Sequence, residues 1–424
     1  MKFAVVTFGC RVNQADSFAL ARGLRAAGGS AAPVEAADVV VVNSCSVTAT
    51  ADQGTRQAIR RIARTNAGAR IVATGCYASR AAEEVAALPG VVAVVPNVEK
   101  EELAARILDM VEPTTAERFG AGDGACGAPV RPGDGGRTTY TLRVQTGCDE
   151  ACAYCIIPST RGRGRSVPLP RVLDEAEQAV GAGYRELQLT GVHLGSYGRD
   201  LTPPTSLAAL LGALAAHPSE FLVRMSSLEP MDCTPDVVEL VTTSPRFAPH
   251  FHLPLQHASD AVLRRMRRPY TADGYRAVVA DIRERLPHAA IGTDLVVGFP
   301  GETDADAATT LGFLGDSPLT YLHVFPYSDR PGTEASGMSG KVHGQRIRER
   351  ARAVREAGAT LAERFRKSQI GSVRPGLTLA RAGGTVVLTD NYLRVRLAAE
   401  HPENERVRVR ITAAGETMVG ELAA

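Results

Sequence analysis

The sequence contains the stretch Gly147-Cys148-Asp149-Glu150-Ala151-Cys152-Ala153-Tyr154-Cys155, in which three cysteines are separated by three and then two residues. It directly follows a predicted β-strand at residues 141–145. Three thiolates on one loop can hold three irons of a 4Fe-4S cluster and leave the fourth iron open to a ligand from outside the protein. Zinc is the alternative, but zinc sites favour cysteines two residues apart and four protein ligands, and no fourth cysteine or histidine lies nearby. The motif therefore favours iron–sulfur chemistry.

The residues after this motif alternate short apolar runs with helical patterns. With the strand before the motif, they predict six β/α units and hence a partial barrel within residues 138–367, whose chemistry lies at the carboxyl ends of the strands. A basic amphipathic helix at 345–367, with Ile347, Val354, Leu361 and Phe365 on one side, is predicted to pack on this barrel. The further strands are predicted at 186–190, 221–226, 251–255, 290–297 and 321–325.

Residues 1–111 show the same alternation, with β-branched runs at 3–6, 38–43, 70–74 and 91–95, which predicts a parallel sheet in an α/β domain. Glycine and proline dominate 112–137, a predicted linker. From 368 to 424 the pattern changes to period two at 385–388, 392–397 and 406–411, which predicts a small antiparallel β-barrel. The predicted fold class is thus α/β with a C-terminal β domain.

The composition sets the class of protein. The 424 residues are 44% hydrophobic and 22% charged, enough for two or three domains, and the net charge of +2 excludes a uniformly basic coat protein. No apolar run is long enough for a membrane helix, so we expect a cytoplasmic protein without membrane contact. Eight cysteines in such a chain indicate metal binding or catalysis and not disulfides.

Three further cysteines lie in the first domain. Cys10, Cys45 and Cys76 each follow a predicted strand, behind Gly or Ser. Because carboxyl ends of parallel strands meet at one edge of a sheet, the three thiols should converge there. Three unrelated buried thiols are the alternative. Cys126, in the linker, and Cys233 have no such partners, and both are predicted to be non-ligands.

The first motif, with its aromatic residue before the last cysteine, resembles the radical S-adenosylmethionine (SAM) enzymes. When Cys10, Cys45 and Cys76 are included, nearly the whole chain resembles the methylthiotransferase family. That family has an N-terminal cysteine domain, a radical SAM barrel and a C-terminal RNA-binding TRAM barrel. The wording is most similar to the branch that modifies threonylcarbamoyladenosine in bacterial tRNA. One departure is Gln256-His257-Ala258-Ser259, which reads Gln-Ser-Gly-Ser in much of the family. We interpret His257 as a tolerated loop substitution, and a role at the site is the alternative. The matching stretches are 7–14, 43–48, 56–61, 145–148, 190–197 and 292–302.

The resemblance implies an enzyme that adds a methylthio group to carbon 2 of N6-threonylcarbamoyladenosine at tRNA position 37. It implies SAM and two 4Fe-4S clusters, a SAM-binding one on Cys148, Cys152 and Cys155 and an auxiliary one on Cys10, Cys45 and Cys76. The six cysteines would be both metal ligands and catalytic residues. Alternatives with the same chemistry are isopentenyladenosine in tRNA or an aspartate of a ribosomal protein as substrate. An alternative of another class is an iron–sulfur protein that binds RNA without modifying it.

The remaining site residues follow from strand ends and from basic runs. The SAM-binding residues are expected at the ends of the barrel strands, where ordinary loop capping is the alternative: Thr190, Gly191, Ser226, Glu229, Gln256 and Val297. The RNA-binding residues are expected in three basic groups, with solvated arginines as the alternative: Arg161, Arg163 and Arg165; Tyr392, Arg394 and Arg396; and Arg406, Arg408 and Arg410. The expected partners are the tRNA anticodon loop, a low-potential electron donor such as a flavodoxin or ferredoxin, and a sulfur donor that the sequence does not identify. The protein is expected to be a monomer.

Overall fold

The structure is a computed structural model that describes residues 1–110, 132, 138–379, 384–415 and 417–423. Almost all of the predicted linker, including Cys126, lies outside the described residues. The described chain divides into two compact units. The first consists of residues 1–110, 146–149 and 156–163, and the second contains the other described residues.

The first unit is built on a parallel sheet, as predicted. Its strand order is β2-β1-β3-β4-β5, with β1 at Lys2–Thr7, β2 at Ser30–Ala31, β3 at Val39–Ser44, β4 at Arg70–Gly75 and β5 at Val91–Val95. Every residue of β3 is buried, because helices cover both faces of the sheet. The helices are α1 (Arg11–Ala26), α2 (Ala49–Thr65), α3 (Cys76–Arg80), α4 (Ala82–Ala86), α5 (Leu103–Met110) and, from the later segment, α6 (Ile157–Arg161).

Alternate residues of β3 divide the core of this unit into two layers. Val39 and Val41 pack with Leu24 of α1 and Ile107 of α5. Val40 and Val42 pack on the opposite face with α2, α3 and α4. The period-two alternation thus places two apolar layers on one strand.

The second unit contains six parallel barrel strands: β6 (Tyr140–Arg143), β9 (Glu186–Thr190), β10 (Leu222–Met225), β11 (His250–His252), β12 (Ala290–Val297) and β13 (Tyr321–Pro326). Two short strands, β7 (Gln145–Thr146) and β8 (Arg165–Ser166), lie outside this set. The six strands form the ladders β10-β9-β6 and β11-β12-β13, which an isolated bridge between Ser227 and His252 connects. The predicted partial barrel of six β/α units is confirmed.

Helices follow the barrel strands, and the last of them packs on β13. They are α7 (Leu169–Gly181), α8 (Leu207–Ala215), α9 (Pro235–Thr243), α10 (Asp260–Arg265), α11 (Ala272–Arg285), α12 (Asp304–Asp316), α13 (Glu334–Gly337) and α14 (Gly344–Ser368). Val354, Leu361 and Phe365 of α14 are buried as predicted, whereas Ile347 is only partly buried. A Cβ on Gly358 would lie 2.7 Å from Leu322 of β13, so the missing side chain lets the helix approach the strand closely.

The C-terminal β domain is a closed barrel of strand order β14-β15-β16-β18-β17. Val387, Val395, Val409 and Ile411 fill its centre. The β16–β18 pair is parallel, so the prediction of a wholly antiparallel barrel is corrected at one seam. The strands are β14 (Val373–Leu379), β15 (Val386–Thr389), β16 (Arg394–Leu397), β17 (Arg406–Ala414) and β18 (Met418–Leu422).

No helix in the described part of the chain is both long and apolar enough to cross a membrane.

Candidate iron–sulfur and cofactor sites

The structure brings Cys10, Cys45 and Cys76 together at one edge of the first sheet. They follow β1, β3 and β4, which are neighbouring strands. A Cβ placed on Gly9 would lie 2.6 Å from the Cys45 Sγ, so the backbone beside Cys10 passes directly over that thiol. Burial, together with the charges of Cys10 and Cys76, raises the pKa of Cys45 to about 11. An arrangement of thiols that resist joint ionisation suits a bound metal group that neutralises them.

Three of the six predicted ligands follow a glycine in the left-handed region. These glycines are Gly9, Gly75 and Gly147, with φ of 94°, 96° and 72°. A Cβ on Gly75 would lie 2.2 Å from the Ser44 carbonyl oxygen, and one on Gly147 would lie 1.9 Å from that of Arg163. Only glycine combines this backbone angle with such close approach. The Gly-Cys pair is therefore the local signal for the sharp turn that presents the thiol.

The spacing of Cys10, Cys45 and Cys76, the first cysteine set along the chain, differs from that of a compact zinc site. A tetrahedral zinc with Zn–S bonds of about 2.3 Å needs sulfurs roughly 4 Å apart. Among the described residues, only His252, Asp294 and His323 have three metal-ligating atoms that all lie within 4.8 Å of one another. At least one pair of the sulfurs of Cys10, Cys45 and Cys76 is therefore more than 4.8 Å apart.

Side-chain amides fix the loops that carry these cysteines. Asn13 Nδ2 donates to the carbonyl oxygens of Phe8 at 2.7 Å and Ser44 at 2.9 Å. Asn97 Nδ2 donates to Cys76 Sγ at 3.6 Å and to the Thr160 carbonyl oxygen at 3.0 Å. The hydrogen bonds of Asn13 and Asn97 therefore fix the loops, and with them the orientation of the thiols.

Two buried cations lie beside this cysteine site and share one carboxylate. Lys100 Nζ lies 3.0 Å from Asp16 Oδ2, and Arg161 Nη2 lies 3.1 Å from the same oxygen. Burial opposes the charge of Arg161, but Asp16 and the thiolates of Cys76 and Cys10 together raise its pKa. Two cations against one carboxylate leave an excess positive charge next to the thiols.

The position of Arg161 corrects one prediction. Its side chain is only 2% exposed, and it also donates to Asn13 Oδ1 and Thr146 Oγ1. Because it points into the protein, it cannot grip an RNA phosphate as predicted. The sequence gives no local signal for this outcome, since Arg161 resembles its exposed neighbours Arg163 and Arg165.

The loop that carries Cys148, Cys152 and Cys155, the second cysteine set along the chain, is fixed by backbone hydrogen bonds and by one arginine. The Cys148 amide donates to the Gly162 carbonyl oxygen at 3.1 Å within the first unit. In the second unit, the Ala153 amide donates to the Met266 carbonyl oxygen at 3.1 Å, and the Ala153 carbonyl oxygen accepts from the Ala335 amide at 2.8 Å. Arg268 Nη1 lies 2.8 Å from Cys152 Sγ. A guanidinium at this distance stabilises the thiolate form that binds iron.

Arg268 also connects this loop with a predicted SAM-binding residue. Its Nη2 pairs with Glu229, which follows β10. Burial raises the pKa of Glu229, while the charge of Arg268 lowers it. Sequence reasoning missed Arg268, because the many arginines of the chain gave any one of them little weight.

The other predicted SAM-binding residues all lie at the carboxyl ends of barrel strands. Thr190 and Val297 end β9 and β12, Gly191 follows Thr190, and Ser226 follows β10. The Ser226 Oγ is buried and has no hydrogen-bond partner among the described residues. Gln256 has a left-handed φ of 65° and bridges to Leu295 of β12. An unsatisfied buried hydroxyl at these strand ends fits a polar cofactor.

A second missed network holds the loop after β9. His193 Nε2 lies 2.7 Å from Asp232 Oδ2, and Gln145 Oε1 accepts from the amides of Val192 and His193 at 2.9 Å each. A Cβ on Gly195 would overlap with Asp232, so this glycine lets the loop close on the carboxylate. These contacts give a physical role to the matching stretch 190–197.

Most of the predicted RNA-binding arginines are exposed. Arg163 is 93% exposed at its side chain and pairs with Asp149, and Arg165 is exposed as well. The outward faces of β16 and β17 carry the five remaining arginines, with buried or partly buried residues between them: Arg394, Arg396, Arg406, Arg408 and Arg410.

Tyr392 is not on that face, which corrects a second prediction. It lies in a turn with a left-handed φ of 68°. Its ring centroid is 4.4 Å from that of His250 and 5.8 Å from that of Tyr321, and Arg224 lies over the ring at 5.4 Å. Tyr392 therefore packs the C-terminal domain against the barrel and does not share the exposed strand face of Arg394 and Arg396.

His257 and Cys233 lie outside both cysteine sites. His257 is 1% exposed, and its ring accepts from the Ser259 amide at 2.9 Å and contacts Thr310. This packing is consistent with its interpretation as a tolerated substitution. Cys233 contacts the Glu229 carbonyl oxygen, and burial raises the pKa of its thiol.

Two family models match the chain. The uncharacterized protein family UPF0004 matches residues 2–96, and the radical SAM superfamily matches residues 142–314. The radical SAM model covers Cys148, Cys152 and Cys155 and four of the six barrel strands in full, β9 to β12. That family binds SAM at a 4Fe-4S cluster, which is the cofactor set that the residues at the strand ends accommodate.

Curated relatives cover nearly the whole chain. Threonylcarbamoyladenosine tRNA methylthiotransferase MtaB of Aquifex aeolicus is 36% identical over 97% of this chain and 100% of its own length. Ribosomal protein uS12 methylthiotransferase RimO of Salinispora tropica is 35% identical over 91% of this chain and 85% of its own. Among solved structures, the radical SAM methyltransferase TsrM of Kitasatospora setae has a TM-score of 0.57 at 16% identity, over 79% of this chain and 74% of that one. The structural match supports the fold, and the curated relatives show that the chain belongs to the radical SAM methylthiotransferase family.

Proposed function

We propose that this protein adds a methylthio group to carbon 2 of N6-threonylcarbamoyladenosine at position 37 of tRNA. The observation that carries the proposal is the convergence of Cys10, Cys45 and Cys76 in the first unit. Cleavage of SAM needs only one cluster, so a second set of thiols provides a place for the sulfur that the reaction inserts. The name of the Aquifex relative supports the choice of nucleoside.

In this proposal, Cys148, Cys152 and Cys155 hold the SAM-binding 4Fe-4S cluster, and Cys10, Cys45 and Cys76 hold an auxiliary one. When bound, these groups and SAM supply a carbon-centred radical and a methylated sulfur, which is chemistry that no side chain provides. Arg268 contacts both Cys152 and Glu229 and so fixes their relative positions. Thr190, Gly191, Ser226, Gln256 and Val297 surround the cofactor at the strand ends.

The residues around the auxiliary site orient it and balance its charge. Asn13 and Asn97 hold the three cysteine-bearing loops through hydrogen bonds to Phe8, Ser44 and Cys76. The excess cation of the Lys100–Asp16–Arg161 group offsets the negative charge of a thiolate-bound cluster. The chain thus supplies buried cations and amides that favour an anionic sulfur group.

The exposed arginines of β16 and β17, with Arg163 and Arg165, supply the contacts to tRNA phosphates. The anticodon loop suits this chemistry because a base leaves a single-stranded loop at lower cost than a duplex. We further propose that the protein acts as a monomer in the cytoplasm and receives electrons from a flavodoxin or ferredoxin.

Single cysteine variants of the reconstituted protein test the assignment of the two sites. Cys152→Ala should abolish formation of 5′-deoxyadenosine from SAM, because the SAM-binding cluster loses a ligand. Cys45→Ala should retain SAM cleavage and lose the methylthiolated nucleoside. Methylthiolated product from Cys45→Ala at the wild-type level would contradict the proposed auxiliary site.

A second candidate substrate is an aspartate of ribosomal protein uS12, which the 35% identity to RimO of Salinispora tropica favours. A third candidate substrate for the same chemistry is isopentenyladenosine (N6-dimethylallyladenosine) in tRNA. Incubation with each substrate and mass spectrometry of the products distinguishes the three.

A further inference from the structure

One wall of the barrel carries polar and aromatic side chains that the proposed chemistry does not use. Leu322 of β13 packs against α14, so its neighbours Tyr321 and His323 face the opposite side, the inside of the barrel. Tyr321 confirms this direction, because its ring lies over Gly292 of β12 and leaves no space there for a Cβ. Phe325 continues the inward-facing row two residues after His323.

This wall is accessible. The His323 side chain is 58% exposed and Phe325 is 38% exposed. An exposed phenylalanine and an exposed histidine on the inner face of an otherwise well-buried barrel are an arrangement that needs a ligand to cover it. The ring centroids of His323 and Phe325 are 6.5 Å apart, so the two rings form one continuous surface.

Asp294 of β12 fixes the His323 ring. Its Oδ1 lies 3.0 Å from His323 Nδ1 and 3.0 Å from His252 Nε2. Ser227 Oγ in turn lies 2.8 Å from His252 Nδ1, so His252 is satisfied on both sides. The second nitrogen of His323 has no partner among the described residues, which leaves an accessible N–H donor when the ring is protonated.

The carboxylate of Asp294 favours that protonated form. Its hydrogen bond is the main reason why the pKa of His323 is raised above its ordinary value. A protonated imidazole anchored on a carboxylate binds anions through a charge-assisted hydrogen bond. The site thus combines an aromatic face with an anion donor.

The position of the wall relates it to the cofactor end of the barrel. Phe325 pairs in register with Val296, next to the predicted SAM-binding Val297, whereas His323 pairs with Asp294. Two residues along a strand correspond to about 6.6 Å, close to the width of a purine. Carbon 2 and carbon 6 of adenine flank N1 and their outward bonds diverge, so an adenine stacked on Phe325 can present carbon 2 to the cofactor end while its N6 substituent extends along the wall to His323.

We propose that Phe325 and His323 form the nucleoside subsite, in which Phe325 stacks on the adenine and His323 binds the carboxylate of the N6 substituent. This inference rests on the proposed function and adds the residue that selects the substrate. A neutral, apolar N6 substituent gains nothing from His323. The subsite thus favours a carboxylate-bearing nucleoside over an isopentenyl one.

Binding of synthetic anticodon stem-loops tests the subsite without requiring turnover. The probes carry unmodified adenosine, threonylcarbamoyladenosine or its methyl ester at position 37, and fluorescence anisotropy of the cluster-loaded protein gives each Kd. The wild-type protein should bind the carboxylate probe about tenfold more tightly than the other two. His323→Leu should bind all three alike, and His323→Gln should retain part of the preference.

Phe325→Leu should weaken all three probes by a similar factor and leave the preference intact. Leu311→Ala, which removes an exposed apolar side chain from α12, is the control and should bind as the wild type does. Retention of the full carboxylate preference in His323→Leu would overturn the proposed subsite. Absence of the preference from the wild-type protein would also overturn it. Failure of the wild-type protein to methylthiolate the carboxylate probe would instead contradict the proposed function.

Discussion

At the scale of single residues, the site depends on buried charges that the sequence pattern does not reveal. Lys100 and Arg161 share Asp16 beside the first cysteine set, and all three side chains are nearly inaccessible to solvent. Burying two cations with one carboxylate is unfavourable unless a further negative group compensates the excess. The anionic cluster that we propose on Cys10, Cys45 and Cys76 would provide that compensation.

Lys100→Met should make the reduction potential of the auxiliary cluster more negative, because removal of a nearby cation disfavours the added electron. The variant keeps the length of the side chain, so packing changes little. A redox titration followed by electron paramagnetic resonance measures the potential of each cluster. Lys367→Met, at a side chain that is 63% exposed, is the control. Equal potentials in Lys100→Met and the wild-type protein would contradict the role of the buried cation.

His257 should make the fold sensitive to acid. Burial lowers its pKa to about 4, whereas an unfolded histidine titrates near 6.5. The unfolded state therefore binds the proton first, and stability falls as pH decreases from about 6.5 to 4. At pH 5 the loss is about 2 kcal/mol.

His257→Gln should remove most of this loss. Unfolding temperatures of the cluster-loaded protein at pH 7 and pH 5 measure it, and the fall between the two pH values should be smaller in the variant. An equal fall in both proteins would show that His257 does not contribute to acid sensitivity.

At the scale of elements, the strand-to-helix turns position the ligands. Cys10 precedes α1, and Cys76 begins α3 directly after Gly75. The turn at Gly75 requires both a left-handed backbone and a close approach to Ser44. An added Cβ at Gly75 would therefore cause both backbone strain and a clash, whereas at a glycine with open space around it the same change causes strain alone.

Gly75→Ala should displace Cys76 and cost the protein one cluster, so that iron and sulfide per chain fall by about half while SAM cleavage remains. Gly28→Ala is the matched control, because Gly28 has a similar φ of 83° and no atom within 4 Å of an added Cβ. Iron analysis of the two reconstituted variants gives the answer. Full iron content in Gly75→Ala would mean that the turn does not position a ligand.

The elements also show how far the sequence alone reaches. The strands before Cys10, Cys45 and Cys76 could be predicted because β-branched runs in a parallel sheet are long and apolar. Strands β14 and β18 were missed, since Pro375, Gly376 and Gly420 interrupt their pattern. Arg161 and Tyr392 were placed wrongly because burial depends on the tertiary partners Asp16 and His250, which local sequence does not specify.

At the scale of the whole molecule, the C-terminal barrel has two separable roles. Its turn at Asn391 and Tyr392 packs on the radical SAM barrel, where Asn391 Nδ2 donates to the His288 carbonyl oxygen at 3.0 Å. Its outward strands carry exposed arginines. One part serves stability, and the other is available to RNA.

Replacing both Arg394 and Arg396 with Gln should weaken tRNA binding and reduce the dependence of log Kd on log salt by one to two units of slope, roughly one for each lost phosphate contact. The unfolding temperature should not change. Tyr392→Ala should do the opposite, lowering the unfolding temperature by several degrees with little change in the salt slope. Titrations at several salt concentrations and thermal unfolding distinguish the two roles, and an unchanged slope in the arginine variant would rule out this face as the RNA contact.

The most direct test of the proposed function is mass spectrometry of nucleosides from total tRNA of cells with and without the gene. We predict that 2-methylthio-N6-threonylcarbamoyladenosine disappears on deletion, that its unmethylthiolated precursor accumulates, and that the intact gene restores the product whereas the Cys45→Ala gene does not. An unchanged level of that nucleoside in the deletion strain, with loss of the isopentenyl analogue or of neither, would contradict the proposed substrate.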